Sequence, residues 1–181
     1  MRIISGTYKG KRLVAPKSLP VRPTTDFAKE ALFNILNHRI DFDEVKLLDL
    51  FSGTGNISYE FASRGTKEIT CVDADFGCIK FINNTSNELS FPIRAIKSDV
   101  YKYLASAAGS FDVVFADPPY AFTLEQMDSL VQSLYTNNWL RSNGMIIVEH
   151  TKHLDLSTIN NFIEARKYGG SVFSFFQKER Q

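Results

Sequence analysis

The sequence contains few cysteines and no long apolar run. Its two cysteines, Cys71 and Cys78, are too few for a disulfide framework, and no Cys/His cluster has metal-ligand spacing. No stretch approaches the roughly 18 apolar residues of a membrane span. The N-terminus "MRIISGTYKGKRL" lacks the apolar segment of a signal peptide. These absences predict a reduced, cytoplasmic protein that binds no metal, is not exported and does not enter a membrane.

Net charge is small but unevenly distributed. The formal net charge is +1, yet residues 1–40 carry eight Lys/Arg and only two Asp/Glu. The stretch up to Arg22 contains six basic residues and no acidic one. A basic arm on an acidic body usually binds a polyanion such as nucleic acid. The alternative is a solvated charged tail.

Size and composition indicate one folded domain with a small extension. The chain has 181 residues, of which 44% are hydrophobic, enough for a full core and too many for a disordered or fibrous protein. We therefore divide the chain into a basic extension, residues 1–40, and a single globular unit, residues 41–181.

The basic extension is expected to be ordered. The runs "RII" and "RLVA" predict a small β-hairpin with Lys9, Lys11 and Arg12 near its turn. The following "RPTTDFAKEALFNIL" has apolar residues at helical spacing after a Pro and polar start, which predicts one amphipathic helix.

From residue 45 onward, short apolar runs alternate with helical patterns. Strands are predicted over 45–50, 68–73, 92–99, 111–117 and 144–150, and helices over 55–65, 75–89, 100–108 and 123–140. Such alternation predicts a parallel sheet with helices on both faces. Two alternating runs within 161–179 flank Gly169-Gly170 and predict an antiparallel hairpin. The expected fold is α/β and Rossmann-like, with a mostly parallel seven-stranded sheet.

Ligands of such sheets bind beyond the carboxyl ends of the strands. The first strand is followed by "DLFSGTGN", which contains Asp49, Phe51, Gly53 and Gly55. The third glycine of a dinucleotide fingerprint is missing and no phosphate-loop Lys follows, which disfavours a nicotinamide oxidoreductase. Asp49 would repel a pyrophosphate and attract a cation such as S-adenosylmethionine. The two glycines can also be a purely structural turn.

The next two strands also end in carboxylates. Asp73 follows Asp49 by 24 residues, where related sheets place the acid that binds ribose hydroxyls. Asp99 is in position to reach an adenine edge. Helix capping is the alternative for Asp75 and Asp99. With Asp117, these strand ends predict the rim of a ligand site.

The stretch "ADPPY" has the chemistry needed to orient an exocyclic base amine. Such an amine is a poor nucleophile because its lone pair is delocalised, so its two hydrogens need fixed acceptors. The Asp117 carboxylate and the Pro118 carbonyl can be these acceptors, since prolines stiffen the loop. Tyr120 can stack on the flipped base. The alternative is a plain Pro-rich turn.

Taken together, the motifs resemble the RsmD family of class I S-adenosylmethionine-dependent methyltransferases. The resemblance covers essentially the whole chain through "RIISGTYKGKRL", "RPTTDFAKEALFNIL", "LDLFSGTGNISYEFASRG", "DPPY", "VEH" and "RKYGG". It implies methylation of guanine N2 in 16S ribosomal RNA of the small subunit by a monomer. The departures from the family pattern are Asp73 for Glu, Tyr8 for Trp, and Lys9 and Lys11 for arginines.

The resemblance also implies roles for individual residues. It implies catalysis at Asp117 and Pro118, with Tyr120 stacking on the base. Cofactor contacts are implied at Asp49, Phe51, Gly53, Gly55, Asp73 and Asp99, and in the segment 22–26 at Arg22 and Thr24. For RNA, the resemblance implies contacts from the basic extension, at Arg2, Lys9, Lys11, Arg12 and Arg22.

Three rival functions remain open at this point. Methyltransferases of DNA adenine and of protein glutamine also use Asn/Asp-Pro-Pro-Tyr loops. The chain has no room for a DNA target-recognition domain, has Asp117 where the glutamine enzymes have Asn, and lacks their N-terminal helical domain. A catalytically silent RNA-binding assembly factor is the third rival.

Overall fold

Residues 1–20 and 24–177, the part of the chain that the computed structural model describes, contain five helices and seven strands, which alternate up to the last three strands. The strands are β1 (Lys46–Leu50), β2 (Glu68–Asp73), β3 (Ile93–Lys97), β4 (Phe111–Ala116), β5 (Leu140–Thr151), β6 (Phe162–Tyr168) and β7 (Ser171–Gln177). The helices are α1 (Asp26–Leu36), α2 (Asn56–Ser63), α3 (Phe76–Leu89), α4 (Val100–Ser106) and α5 (Leu124–Thr136). Among these helices, none has the length and apolarity needed to cross a bilayer.

All seven strands belong to one sheet in the order β3-β2-β1-β4-β5-β7-β6. Strands β1 to β5 pair in parallel, whereas β7 is antiparallel to both β5 and β6. The predicted parallel sheet with a C-terminal antiparallel hairpin is thus confirmed. The strand order reverses between β1 and β4, which is the point where open α/β sheets form their ligand crevice.

Helix α5 is shorter and β5 longer than the sequence pattern predicts. The helix predicted over 123–140 ends early because Asn138 adopts a left-handed backbone, with φ of 57°. Trp139 then stacks on Phe111, with ring centroids 6.1 Å apart. Leu140 pairs with Phe111 as the start of β5. The apolar residues that continued the helical periodicity therefore pack against the beginning of β4 instead.

Alternate residues of the central strands face two separate cores. Leu47, Val113 and Ile147 pack with α1, α2 and α3 on one face of the sheet. On the other face, their chain neighbours pack with α4 and α5. Because strand side chains alternate between faces, this arrangement fixes the face onto which each polar residue at a strand end projects.

The N-terminal arm, residues 1–13, forms the predicted hairpin with a single β-bridge, between Arg2 and Arg12. The Ile3 amide donates to the Lys11 carbonyl at 2.9 Å, which closes the same hairpin. Ile3 and Leu13 are buried in the core that contains α1 and α2. The arm is therefore packed against the sheet domain along its apolar residues.

Candidate active site

A pocket of about 560 Å³ opens at the carboxyl ends of β1, β2 and β4, within the range of roughly 300–1,000 Å³ typical of small-molecule sites. Most of the predicted site residues line it, namely Thr24, Asp49, Phe51, Gly53, Asp73, Asp99, Asp117, Pro118 and Tyr120. The lining does not include Gly55. Arg22, predicted to contact cofactor and RNA, lies outside the described residues.

The loop between β1 and α2 is tightly curved because three of its residues have left-handed backbones. Phe51, Gly53 and Gly55 have φ of 56°, 51° and 82°. This region is uncommon for a residue with a bulky side chain such as Phe51, and strain of this kind concentrates at ligand sites. Gly55 precedes α2 as its N-cap. A Cβ there would lie 3.0 Å from the Tyr59 ring, so its role is close packing of the loop.

Asp49 is a buried carboxyl at the base of the pocket. Its Oδ2 accepts a hydrogen bond from the Ser58 hydroxyl at 2.6 Å. Burial raises the pKa of Asp49 to about 7, the Ser58 hydrogen bond opposes this rise, and the Asp73 charge adds to it. A cation bound in the pocket would favour the ionised form, so Asp49 suits a positively charged ligand.

Asp73 connects two loops at the end of β2. Its Oδ2 accepts the Gly53 amide and its Oδ1 accepts the Asp75 amide, both at 2.8 Å. Each carboxylate oxygen keeps a second acceptor site. Asp73 therefore shapes the pocket and can still accept hydroxyl groups of a ribose.

Asp75 and Asp99 are helix caps that also line the pocket. Asp75 Oδ1 accepts the Cys78 amide at 2.8 Å, and Asp99 Oδ1 accepts the Lys102 amide at 3.0 Å. The capping interpretation weighed for these residues is thus correct. It is compatible with ligand contact, since one oxygen of each carboxylate is left for the pocket.

An aromatic wall on one side of the pocket was not predicted. Phe122 meets Phe51 edge-on at 5.6 Å between ring centroids and lies nearly parallel to Tyr101 at 6.5 Å. All three rings line the pocket. The only sequence signal was the position of Phe122 two residues after "DPPY". Tyr101 lies in a stretch with helical periodicity, and nothing in the sequence indicated that it lines the pocket.

The "DPPY" loop is fixed to the sheet at its first residue. The Asp117 amide donates to the Leu50 carbonyl of β1 at 3.2 Å, and the Phe122 amide closes a turn onto the Pro119 carbonyl at 2.9 Å. Tyr120 stands at the mouth with half of its surface, 50%, exposed. Burial, and then the charges of Glu149 and Asp49, raise the pKa of Asp117 well above its ordinary value.

Glu149 is a functional candidate that the sequence interpretation missed. It is buried at the end of β5, and its two oxygens accept hydrogen bonds from the Thr24 and Ser171 hydroxyls, each at 2.7 Å. The signal was present, because "MIIVEH" also ends a strand with an acid, as the first four strands do. Thr24 therefore lines the pocket and holds Glu149.

Four of the five residues predicted to bind RNA lie on the arm, whereas the fifth, Arg22, lies outside the described residues. Arg2, Lys9, Lys11 and Arg12 all have exposed side chains. Lys11 pairs with Glu88 at 2.8 Å, and Arg2 lies 3.8 Å from Asp26. Exposed ion pairs of this kind contribute little stability, so these two cations can exchange their partners for phosphates.

The residues of the pocket fit S-adenosylmethionine. Asp49 offers a buried carboxylate to a cation, Asp73 offers acceptors to ribose hydroxyls, and Phe51 belongs to an aromatic wall suited to a planar ring. Within residues 1–20 and 24–177 there is no group of three or more His, Cys, Asp or Glu that could hold a metal ion. The strand order β3-β2-β1-β4-β5-β7-β6 is that of the class I methyltransferase fold.

Comparisons with known proteins agree with this class. The chain matches the family described as "Conserved hypothetical protein 95" over residues 1–177 and belongs to it. Ribosomal RNA small subunit methyltransferase D of Buchnera aphidicola subsp. Baizongia pistaciae is 33% identical over 167 residues, which span 90% of this chain and 83% of that protein. The Escherichia coli protein of the same name is 31% identical over 185 residues, which span 100% and 91%. The predicted membership of the RsmD family is confirmed.

Solved structures give the same result. The protein yhhF of Escherichia coli superposes with a TM-score of 0.85 and 27% identity, covering 100% of this chain and 99% of that one. A hypothetical protein of Thermus thermophilus has a TM-score of 0.84 and 26% identity, covering 98% and 99%. The similarity therefore includes the N-terminal arm as well as the sheet.

Proposed function

We propose that this protein is an S-adenosylmethionine-dependent methyltransferase that modifies the N2 amine of one guanine in 16S ribosomal RNA of the small subunit. The observation that carries this proposal is the rigid Asp117-Pro118 corner at the mouth of a pocket lined by Asp49, Asp73 and Asp99. The names of the related proteins support ribosomal RNA as the substrate.

Cofactor binding is assigned to the residues at the first three strand ends. Asp49 would hold the positively charged end, Asp73 the ribose hydroxyls, and Asp99 with the aromatic wall the adenine. When bound, the cofactor supplies an electrophilic methyl group attached to sulfur. The residues of this chain then have to hold the acceptor nitrogen in line with that carbon.

Asp117 and Pro118 orient the acceptor amine. The Asp117 carboxylate accepts one N–H of the guanine amine and the Pro118 carbonyl accepts the other, which turns the nitrogen lone pair toward the methyl carbon. The amine gains positive charge as it is methylated, so one of its protons becomes acidic. Asp117 accepts that proton late or passes it to water, and no stronger base is required.

Tyr120 provides a stacking surface for the base. A guanine can reach this corner only if it is unpaired or flipped from its helix. Stacking of a base on an aromatic ring contributes about 1–3 kcal/mol, and the half-exposed Tyr120 ring is available at the pocket mouth. This contact would help hold the extruded nucleotide.

The basic extension, residues 1–40, is assigned to RNA binding, and residues 41–181 to catalysis. Arg2 and Arg12 are direct neighbours across the β-bridge of the arm, and Lys9 and Lys11 lie between them in sequence. Phosphate contacts from such a group bind RNA without reading its sequence. We further infer a monomeric, cytoplasmic enzyme acting on RNA in a partly or fully assembled subunit.

The proposal is tested by labelled-methyl transfer to four substrates. These are small ribosomal subunits from cells that lack this protein, naked 16S ribosomal RNA, DNA, and protein release factors. We expect methyl incorporation into the ribosomal RNA alone, and mass mapping of the product should give N2-methylguanine at one position. Incorporation only into DNA or protein would refute the proposal, as would cofactor binding without any transfer.

A further inference from the structure

A row of polar residues crosses one face of the sheet beneath the pocket. Asp49 on β1, Glu149 on β5 and Ser171 on β7 lie two residues from Leu47, Ile147 and Phe173, which belong to the core of α1 to α3. Asp117 follows β4 and stands two residues after Phe115 of the same core. Because side chains two residues apart in a strand share a face, the three carboxyls and the Ser171 hydroxyl project toward the same side.

Asp117 and Glu149 are the carboxyls of this row that stand at the ends of two adjacent strands, β4 and β5. Val148 of β5 pairs with Ala116 of β4, and the two strands are parallel. The residues that follow this pair along the chain, Glu149 and Asp117, therefore stand side by side where the two strands, about 4.8 Å apart, approach their carboxyl ends. Two carboxyls in neighbouring buried positions do not both ionise readily, so a pair of this kind tends to keep one proton, and the charge of Glu149 does raise the pKa of Asp117.

The two carboxyls have different surroundings. Glu149 is only 1% exposed and accepts hydrogen bonds from two hydroxyls, which favour its ionised form. Asp117 opens onto the pocket and is influenced by two acidic groups, Glu149 and Asp49. Burial raises the pKa of both carboxyls, and the Thr24 and Ser171 hydroxyls oppose that rise at Glu149 alone.

Other charged groups near this face have partners of their own. On α1, the Lys29 ammonium is held by Asn56 and Glu60. His150 follows Glu149 but projects to the opposite face, where its Nε2 lies 2.8 Å from the Ser174 hydroxyl oxygen. The strand register therefore makes Glu149 the neighbouring acid of Asp117. The two hydroxyl donors make Glu149, and not Asp117, the carboxyl that ionises first.

We propose that Glu149 is a positioning residue that shares one proton with Asp117, and that its two hydroxyl partners keep this proton on Asp117 while the pocket is empty. The role of the freed Asp117 toward an amine rests on the proposed function. When the N–H groups of a substrate amine enter, they stabilise the Asp117 carboxylate. The proton then moves to Glu149 or leaves to water, and Asp117 becomes an acceptor only once the base is in place.

The first test follows the two carboxyl groups directly in the free protein. Carboxyl carbons labelled with ¹³C are assigned and titrated by NMR in the wild type and in Glu149→Gln. Glutamine keeps the size of Glu149, and both hydroxyls can rotate to suit the amide. We expect the titration midpoint of Asp117 to move to lower pH in Glu149→Gln. An unchanged midpoint would overturn the proposal.

A matched pair of serine variants on β7 gives a second test. Ser171→Ala removes one donor from Glu149 and should shift the proton toward Glu149, so that Asp117 titrates at lower pH than in the wild type. Ser174→Ala removes the hydroxyl beside His150 on the opposite face and should leave Asp117 unchanged. Equal effects of the two variants would contradict the proposal, and this comparison decides the matter if Glu149→Gln fails to fold.

The pH dependence of methyl transfer separates the proton-sharing role from a purely structural one. We expect the acid limb of kcat/KM to move to lower pH in Glu149→Gln. Loss of a merely structural anchor would lower activity equally at all pH values, and that result would refute the proposal. A wild type that methylates none of the four substrates would refute the proposed function, while the NMR titration would still decide whether the two carboxyls share a proton.

Discussion

The Lys29 ammonium donates a hydrogen bond of 2.8 Å to Asn56 Oδ1, and both side chains are buried. Lys29 lies on α1, and Asn56 is the first residue of α2, directly after the loop between β1 and α2. Asn56 in turn donates its amide to the Thr24 carbonyl at 3.0 Å. Burial lowers the pKa of Lys29, and the Glu60 carboxylate opposes this. The segment before α1, the helix itself and the start of α2 after the β1–α2 loop are therefore connected by one buried polar network.

Glu60 extends this network to the arm. Its buried carboxylate accepts the backbone amides of Ile4 and Ser5, at 2.8 and 3.0 Å, and pairs with Arg64. A buried charge is stable only when it is paired and hydrogen-bonded, and Glu60 satisfies both conditions. The arm is thus anchored to α2 by its backbone, which leaves its basic side chains available for a partner.

The turn of the arm depends on Gly6. Gly6 has φ of +83°, and a Cβ there would lie 1.8 Å from the Ser63 carbonyl oxygen. Gly6→Ala should therefore displace the arm from α2, weaken RNA binding and expose the arm to trypsin at Lys9 and Lys11. Binding titrations and limited proteolysis measure the two effects.

Gly10→Ala is the matched control for this change. Gly10 has a similar φ of +86°, but no atom lies within 4 Å of a Cβ at this position. Both substitutions carry the strain of a left-handed alanine, about 1–2 kcal/mol, and only Gly6→Ala adds a backbone clash. Equal loss of RNA affinity in the two variants would show that the contact with Ser63 does not hold the arm.

The charges of the arm should determine the salt dependence of RNA binding. Replacing Lys9, Lys11 and Arg12 together by Ala should weaken binding and reduce the slope of log K against log salt by about 2, since each phosphate contact contributes roughly 0.7 for single strands. Cofactor affinity should not change. Lys67→Ala removes an exposed lysine beside β2 and serves as the control. An unaltered slope in the triple variant would mean that the RNA does not bind to these three residues of the arm.

Loss of Asp117 should stop methyl transfer without abolishing cofactor binding. Asp117→Ala removes one of the two amine acceptors, and we expect kcat to fall on the order of 100-fold or more, as for the loss of one preorganised polar contact to a transition state. Asp117→Asn keeps an acceptor oxygen but no charge and should be intermediate. Labelled-methyl transfer and calorimetric cofactor titration check both, with Glu44→Gln as an exposed control. Full turnover in Asp117→Ala would exclude the assigned role.

The fold and most of the pocket could be predicted because they depend on local patterns. Alternation of apolar runs and helices determines the parallel sheet. The acid at each strand end can be recognised from the sequence without knowing which segments lie next to it in the fold. Asp49, Asp73, Asp99 and Asp117 were identified in this way, and all four line the pocket.

The connections between distant segments could not be predicted in the same way. Thr24 donates to Glu149 across 125 positions of sequence, and Glu60 receives amides from the arm, more than fifty positions away. Each of these contacts depends on packing that brings the segments together. The end of α5 was misjudged for a similar reason, because Trp139 finds a tertiary partner in Phe111.

Asp49 should make the stability of the ligand-free protein depend on pH. Its pKa rises from 3.8 to about 7 on folding because the group is buried. A carboxyl with a raised pKa contributes its full stability below about pH 3.8 and loses it as pH increases toward 7. Ionised Asp49 therefore destabilises the empty protein at neutral pH, by an amount on the order of 4 kcal/mol.

Asp49→Asn should remove this pH dependence and weaken cofactor binding at the same time. Asparagine stays neutral and still accepts the Ser58 hydroxyl, so the gain in Tm over the wild type should be larger at pH 8 than at pH 5. Asp117 and Glu149 titrate in both proteins, and the Asp49 charge also raises the pKa of Asp117, so the difference reports the ionisation of Asp49 together with its effect on Asp117. Because the variant offers no charge to a cation, we expect S-adenosylmethionine to bind about ten- to a hundredfold more weakly. Thermal melts and calorimetry measure both effects, and a variant that binds the cofactor normally would mean that Asp49 does not face its positive charge.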